Sequence, residues 1–110
     1  MERRISARVE VDLPVFALVD GFLHGCRAVD LSSTGMVVER SACLAKREPP
    51  QVTTLELDLR DGRRPIRVRA RTVWSRGRFC AVRFVRMHDV DRLTLAEQFD
   101  RAVWRRQTLH

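Results

Sequence analysis

Two short stretches hold the residues whose types and spacing could do chemistry. One is the arginine cluster of "RRISAR", with Arg3, Arg4 and Arg8; the other is "DLSSTG", running from Asp30 to Gly35. An arginine presents a planar fork of donors that pairs bidentately with phosphates and with the O6/N7 edge of guanine. Asp30 can accept the N–H donors on the opposite guanine edge, and Ser32 can add a hydroxyl. Gly35 lets a backbone approach closely or adopt positive φ. Written as a pattern, RRxxxR followed after about twenty residues by DxSxxG suits a guanine nucleotide with phosphates. Taken alone, "DLSSTG" between two apolar runs is an ordinary turn, because Asp, Ser and Gly are common turn residues.

Other chemistry finds little support. Ser, His and Asp are present, but no nucleophile elbow, phosphate-cradling glycine loop or paired metal motif accompanies them, so no enzyme and no cofactor is expected. Cys26, Cys43 and Cys80 are odd in number and include no CxxC pair. Buried free thiols in a reducing compartment are therefore expected, without a disulfide framework. His24 and Cys26 form an HxC that lacks the two further ligands a metal site needs, so no metal is expected.

The net charge is +7, and 20 of the 21 basic residues are Arg, with Lys46 the exception. Such a balance favours anionic partners such as nucleotides, nucleic acids or acidic lipids. A genome-wide codon bias towards Arg would give the same ratio. No stretch approaches the roughly 18 uninterrupted apolar residues of a membrane span, and the start lacks the apolar core of a secretory signal. A cytoplasmic protein is expected.

The elements that must position these residues are read from periodicity. Period-two runs mark half-buried strands: Leu55, Leu57 and Leu59 share one face, and Ile66, Val68, Ala70, Thr72 and Trp74 share another after a "DGR" hairpin signal. "SRGR" is a tight turn before "FCAVRFV", and Asp20-Gly21 joins "VFALV" to "FLHGCRAVDL" as a hairpin dipeptide. "GMVVER" completes about six short strands. So many strands in 110 residues favour an all-β, closed or nearly closed antiparallel barrel, which removes exposed sheet edges. Arg67, Arg69 and Arg71 then face solvent, and "KREPPQ" is a loop. From about Asp89 the pattern becomes helical, with Leu95, Phe99, Ala102 and Val103 on one face. Thr94 and Glu97 resemble a capping box, although Asp89 or Asp91 could start the helix a turn earlier. Trp104 falls beside that stripe, and Arg105 and Arg106 sit near the negative end of the helix dipole. The expected organisation is one domain over 1–110: an arginine-rich arm over 1–8, a barrel over about 9–86 and a helix over about 89–106.

The sequence resembles the PilZ domain family, bacterial receptors for the second messenger cyclic di-GMP. The resemblance rests on RxxxR from Arg4 to Arg8 with Arg3 ahead of it, and on DxSxxG from Asp30 to Gly35. It extends over the strand pattern, Val73-Trp74 in the penultimate strand and the final helix. It implies a six-stranded antiparallel PilZ-type β-barrel with a C-terminal α-helix, binding cyclic di-GMP on its outer surface. Arg4 and Arg8 would clamp guanine and phosphate, while Asp30, Ser32 and Gly35 would hold the other side of a guanine. In the family an extra Arg directly ahead of the first motif, as Arg3 is here, often accompanies binding of a stacked ligand dimer. Trp74 sits where some members place a residue beside the ligand, although simple barrel packing also accounts for it.

A short arginine-rich arm has little apolar surface to hold it down, so ordering of the arm by ligand is the expected signal to a protein partner. Two other readings compete. A PilZ-like interaction module would keep the fold and bind no nucleotide, whereas this chain carries both motifs. A basic small barrel could instead bind single-stranded nucleic acid, which needs exposed aromatic residues for base stacking. Flagellar, pilus, polysaccharide and transcriptional machineries are all open as targets.

Overall fold

The computed structural model describes residues 8–108, with side chains described over 8–101. Six strands are present: β1 (Val9–Val19), β2 (Phe22–Leu31), β3 (Gly35–Glu39), β4 (Val52–Leu57), β5 (Ile66–Arg76) and β6 (Phe79–Met87). A four-residue helix, α1 (Ala42–Ala45), lies between β3 and β4, and α2 (Asp89–Thr108) follows β6. The strands close into an antiparallel barrel in the order β1-β2-β3-β6-β5-β4, with β4 pairing back onto β1. Each described strand thereby has a neighbour on both sides, which limits exposed sheet edge.

Alternation explains the wall. In β5, Ile66, Val68 and Ala70 are buried while Arg67, Arg69 and Arg71 are exposed. Leu57, Val15 and Val68 are the largest fully buried side chains of the core. The β1–β2 hairpin turns through Asp20 and Gly21, both at positive φ (54° and 82°), as a tight two-residue hairpin requires. Leu95 and Phe99 bury the apolar face of α2.

Several expectations need correction. The "DGR" region is not a tight hairpin, because β4 and β5 are separated by residues 58–65. Asp58 Oδ1 accepts from Arg60 N (2.8 Å) and Asp61 Oδ1 from Arg63 N (3.1 Å). Two successive side-chain turns thus lengthen the connection. Thr94 is not a helix cap: α2 starts at Asp89, and the Thr94 hydroxyl donates to Val90 O within the helix at 3.0 Å. Helix α1 was not anticipated; Ser41 Oγ accepts from Leu44 N at 3.3 Å and Leu44 is buried beneath it. Of the thiols only Cys80 is buried; Cys26 is half-buried and Cys43 is exposed on α1.

Trp74 is the most consequential correction. A bulge between Thr72 and Trp74 leaves Val73 as the extra residue opposite β6. Thr72 faces inward, where its hydroxyl lies 3.9 Å from the Cys80 thiol. Trp74 is turned to the outer face and is 46% exposed. Among the described residues, no helix is long and apolar enough to cross a membrane.

Candidate functional site

The outer face of β2, β3, β6 and β5 forms a grid set by strand register. One row runs from Asp30 to Val37, then Ala81, then Trp74. The neighbouring row runs from Gly35 to Arg83 to Arg71. Val37 and Ala81 alternate with the core residues Met36, Val38, Cys80 and Val82, so they point outward. They are nevertheless buried; Trp74 is the cross-strand neighbour of Ala81 and lines a depression with Val37.

Asp30 reaches the outer face because β2 bulges between Ala28 and Asp30, and β1 shifts register between Glu10 and Leu13. Such bulges re-aim side chains without breaking the ladder. Arg8, immediately before β1, places Nη1 3.6 Å from Asp30 Oδ2. The arginine and the carboxylate of the two motifs are therefore neighbours in space.

Ser32 is buried and organises the β2–β3 turn. Its Oγ accepts from Thr34 N (3.2 Å) and Gly35 N (3.1 Å), and its backbone N–H donates to Gly35 O at 2.9 Å. Gly35 has a steric role: a Cβ there would stand 2.3 Å from Val82 O and 3.3 Å from Arg83 Cα. Its glycine is required for close approach of β3 to β6, and positive φ plays no part. The motif is thus a turn in backbone terms, tied into the barrel wall.

Arg8, Ser32, Gly35 and Trp74 line one shallow depression of about 160 Å³. Of the sequence-predicted site residues, these four share that depression and Asp30 joins through its pair with Arg8. Arg3 and Arg4 lie outside the described residues. Thr34 and Arg83 also line the depression and were not anticipated. Thr34 stands inside the motif at one of its unspecified positions. Arg83 is far away in sequence, and only the β3–β6 register brings it to Gly35.

Farther along the same face, Arg27 Nη2 donates to Glu39 Oε1 at 2.6 Å and Arg78 lies 3.5 Å from Oε2. The hydrogen bond from Arg27 is the main cause that holds the Glu39 carboxyl below its ordinary range. A second, mostly apolar cavity of about 240 Å³ opens at the other end of β2 and β3, beneath α1. Arg40 straps that end by donating to Leu44 O, Arg47 O and Gly77 O. Burial raises the Cys26 and Cys80 thiols that line it. Among the described residues no group of acidic, His and Cys side chains could hold a metal ion.

Comparison with known proteins agrees with this architecture. The Bacillus subtilis inhibitor of motility (MotI/DgrA) superposes with a TM-score of 0.75 at 15% identity, over 100% of this chain and 54% of the other. The chain thus spans about half the length of that protein. An uncharacterized Legionella protein superposes with a TM-score of 0.63 at 17% identity, over 92% of this chain and 98% of the other. At these identities the likeness shows the fold. No curated protein matches the sequence. The PilZ domain family model matches residues 2–101, a span that takes in both motifs, the barrel and the first part of α2. The chain belongs to the PilZ domain family, a family of cyclic di-GMP receptors.

Proposed function

We propose that this protein is a cyclic di-GMP receptor that passes the level of the messenger to a protein partner. The observation that carries the reading is the convergence of Arg8, Ser32, Gly35 and Trp74 on one outer depression, with Asp30 held against Arg8. Asp30 supplies the acceptor for the guanine N–H edge, and Arg8 supplies donors for O6/N7 or phosphate. The exposed ring of Trp74 offers a face or edge to a base. Ser32 and Gly35 act mainly by holding the turn and the strand contact that aim these groups. Arg3 and Arg4 extend the donor set, for one ligand or a stacked pair, and ligand-driven ordering of the arm creates the surface read by the partner.

An NMR titration tests both parts together. Cyclic di-GMP should shift the resonances of Arg8, Asp30 and the Trp74 indole at saturable concentrations, and relaxation at residues 2–8 should report loss of motion on binding. An oligonucleotide that bound instead, with steep salt dependence, would favour a nucleic-acid barrel. Arm relaxation that did not change at ligand saturation would refute the ordering mechanism.

A further inference from the structure

We infer that Arg71 and Arg83 form a second phosphate subsite beside the motif residues. This rests on the cyclic di-GMP reading and adds to it two residues outside both motifs. Arg83 on β6 stands directly opposite Arg71 on β5, and on its other side it faces Gly35 on β3. Both arginines are exposed on the outer face. Gly35 has no side chain, so the flank of Arg83 towards the depression is open. Arg83 lines that depression together with Arg8 and Trp74.

Its charge balance, together with its place beside the motif residues, sets this pair apart. Like charges directly opposite each other on neighbouring strands are destabilising. Elsewhere on the barrel exterior, Arg67 is matched by Glu56 at 2.8 Å and Arg27 by Glu39 at 2.6 Å. Among the described residues no carboxylate lies within ion-pair distance of Arg71 or Arg83, and the rest of the chain offers one acid, Glu2. Two unmatched guanidinium forks on adjacent strands fit a phosphodiester, which accepts several charge-assisted hydrogen bonds. A cyclic dinucleotide carries two phosphates, so the arginines at Arg8 and the pair on β5 and β6 can each take one.

Arg69 and Arg86 form another cross-strand pair, but they line a separate depression with Leu18 and Thr54. They serve as the internal control. Calorimetric titration of the whole chain with cyclic di-GMP, at two salt concentrations, should compare wild type with Arg71→Gln, Arg83→Gln, Arg83→Lys and Arg69→Gln. Arg71→Gln and Arg83→Gln are each expected to bind about tenfold more weakly, the factor for losing one charge-assisted hydrogen bond. Their affinity should also depend less on salt. Arg83→Lys keeps the charge but loses the fork, and should fall between wild type and Arg83→Gln. Arg69→Gln should bind like wild type. Relief of like-charge repulsion should leave the Tm of Arg71→Gln and Arg83→Gln equal to or above that of wild type, so the weakened binding cannot come from unfolding. Wild-type affinity and salt dependence in both glutamine variants would overturn the subsite and leave the receptor reading standing. Absence of wild-type binding would overturn the receptor reading, and the subsite with it.

Discussion

Arg8 Nη1 lies 3.6 Å from Asp30 Oδ2, so the last arginine of one motif faces the acid that opens the other. The two groups form an ion pair, and each is also a group that the proposed guanine nucleotide would engage. The Arg8 side chain is 63% exposed and that of Asp30 26%. An exposed pair contributes at most about 1 kcal/mol, so exchanging it for ligand contacts costs little. Arg8→Ala and Asp30→Ala should therefore each change the unfolding free energy by less than about 1 kcal/mol in denaturant melts. A loss of several kcal/mol would mark the pair as structural.

Ser32 and Gly35 should behave differently from Asp30. Ser32→Ala removes the acceptor for two backbone N–H groups in a buried turn, at a cost of about 1–3 kcal/mol. Gly35→Ala drives a Cβ into Val82 O and should cost about 1–3 kcal/mol as the strands separate. Both losses are measurable by urea unfolding. Wild-type stability in Gly35→Ala would show that β3 and β6 can move apart freely.

Acid should expose the Glu39 contact. The hydrogen bond from Arg27 lowers the Glu39 carboxyl below its ordinary value of 4.5. A carboxylate lowered in the folded state stabilises above its unfolded pKa, and that contribution is lost as pH falls through the folded value. Wild type should thus exceed Arg27→Gln in stability near neutral pH, and the gap should close as pH drops below 4.5. Melts across that range provide the check; a gap independent of pH would contradict it.

The thiols should report barrel integrity. Cys43 is exposed, whereas burial raises the Cys26 and Cys80 thiols. A neutral-pH thiol reagent should modify Cys43 rapidly and the other two slowly until the barrel unfolds. Mass mapping that found Cys80 labelled as fast as Cys43 in native protein would contradict the described core.

Much of the architecture is legible because its signals are local. The alternation of Ile66, Val68 and Ala70 with Arg67, Arg69 and Arg71 states which face is core. Asp20-Gly21 marks a turn by conformational need. What alternation cannot register is a single inserted residue. Val73 bulges from β5, so Thr72 and Trp74 share parity in sequence and occupy opposite faces in the fold. That one shift moves Trp74 from the core to the candidate site. The candidate site was proposed from two spaced motifs, whereas the place of Arg83 beside it was not legible, because its neighbourhood with Gly35 and Arg71 comes from register across three strands. The role of Gly35 likewise depends on where Val82 O stands, which no local pattern records.

The most direct measurement is calorimetric titration of cyclic di-GMP into wild type, Arg8→Ala and Asp30→Ala under identical salt. Saturable binding by wild type is expected, with affinity reduced about a hundredfold in each variant, as for loss of two charge-assisted hydrogen bonds at about tenfold each. All three proteins should unfold with similar midpoints. Binding that persisted undiminished in both variants, or no binding by the folded wild type, would contradict a cyclic di-GMP site built on Arg8 and Asp30.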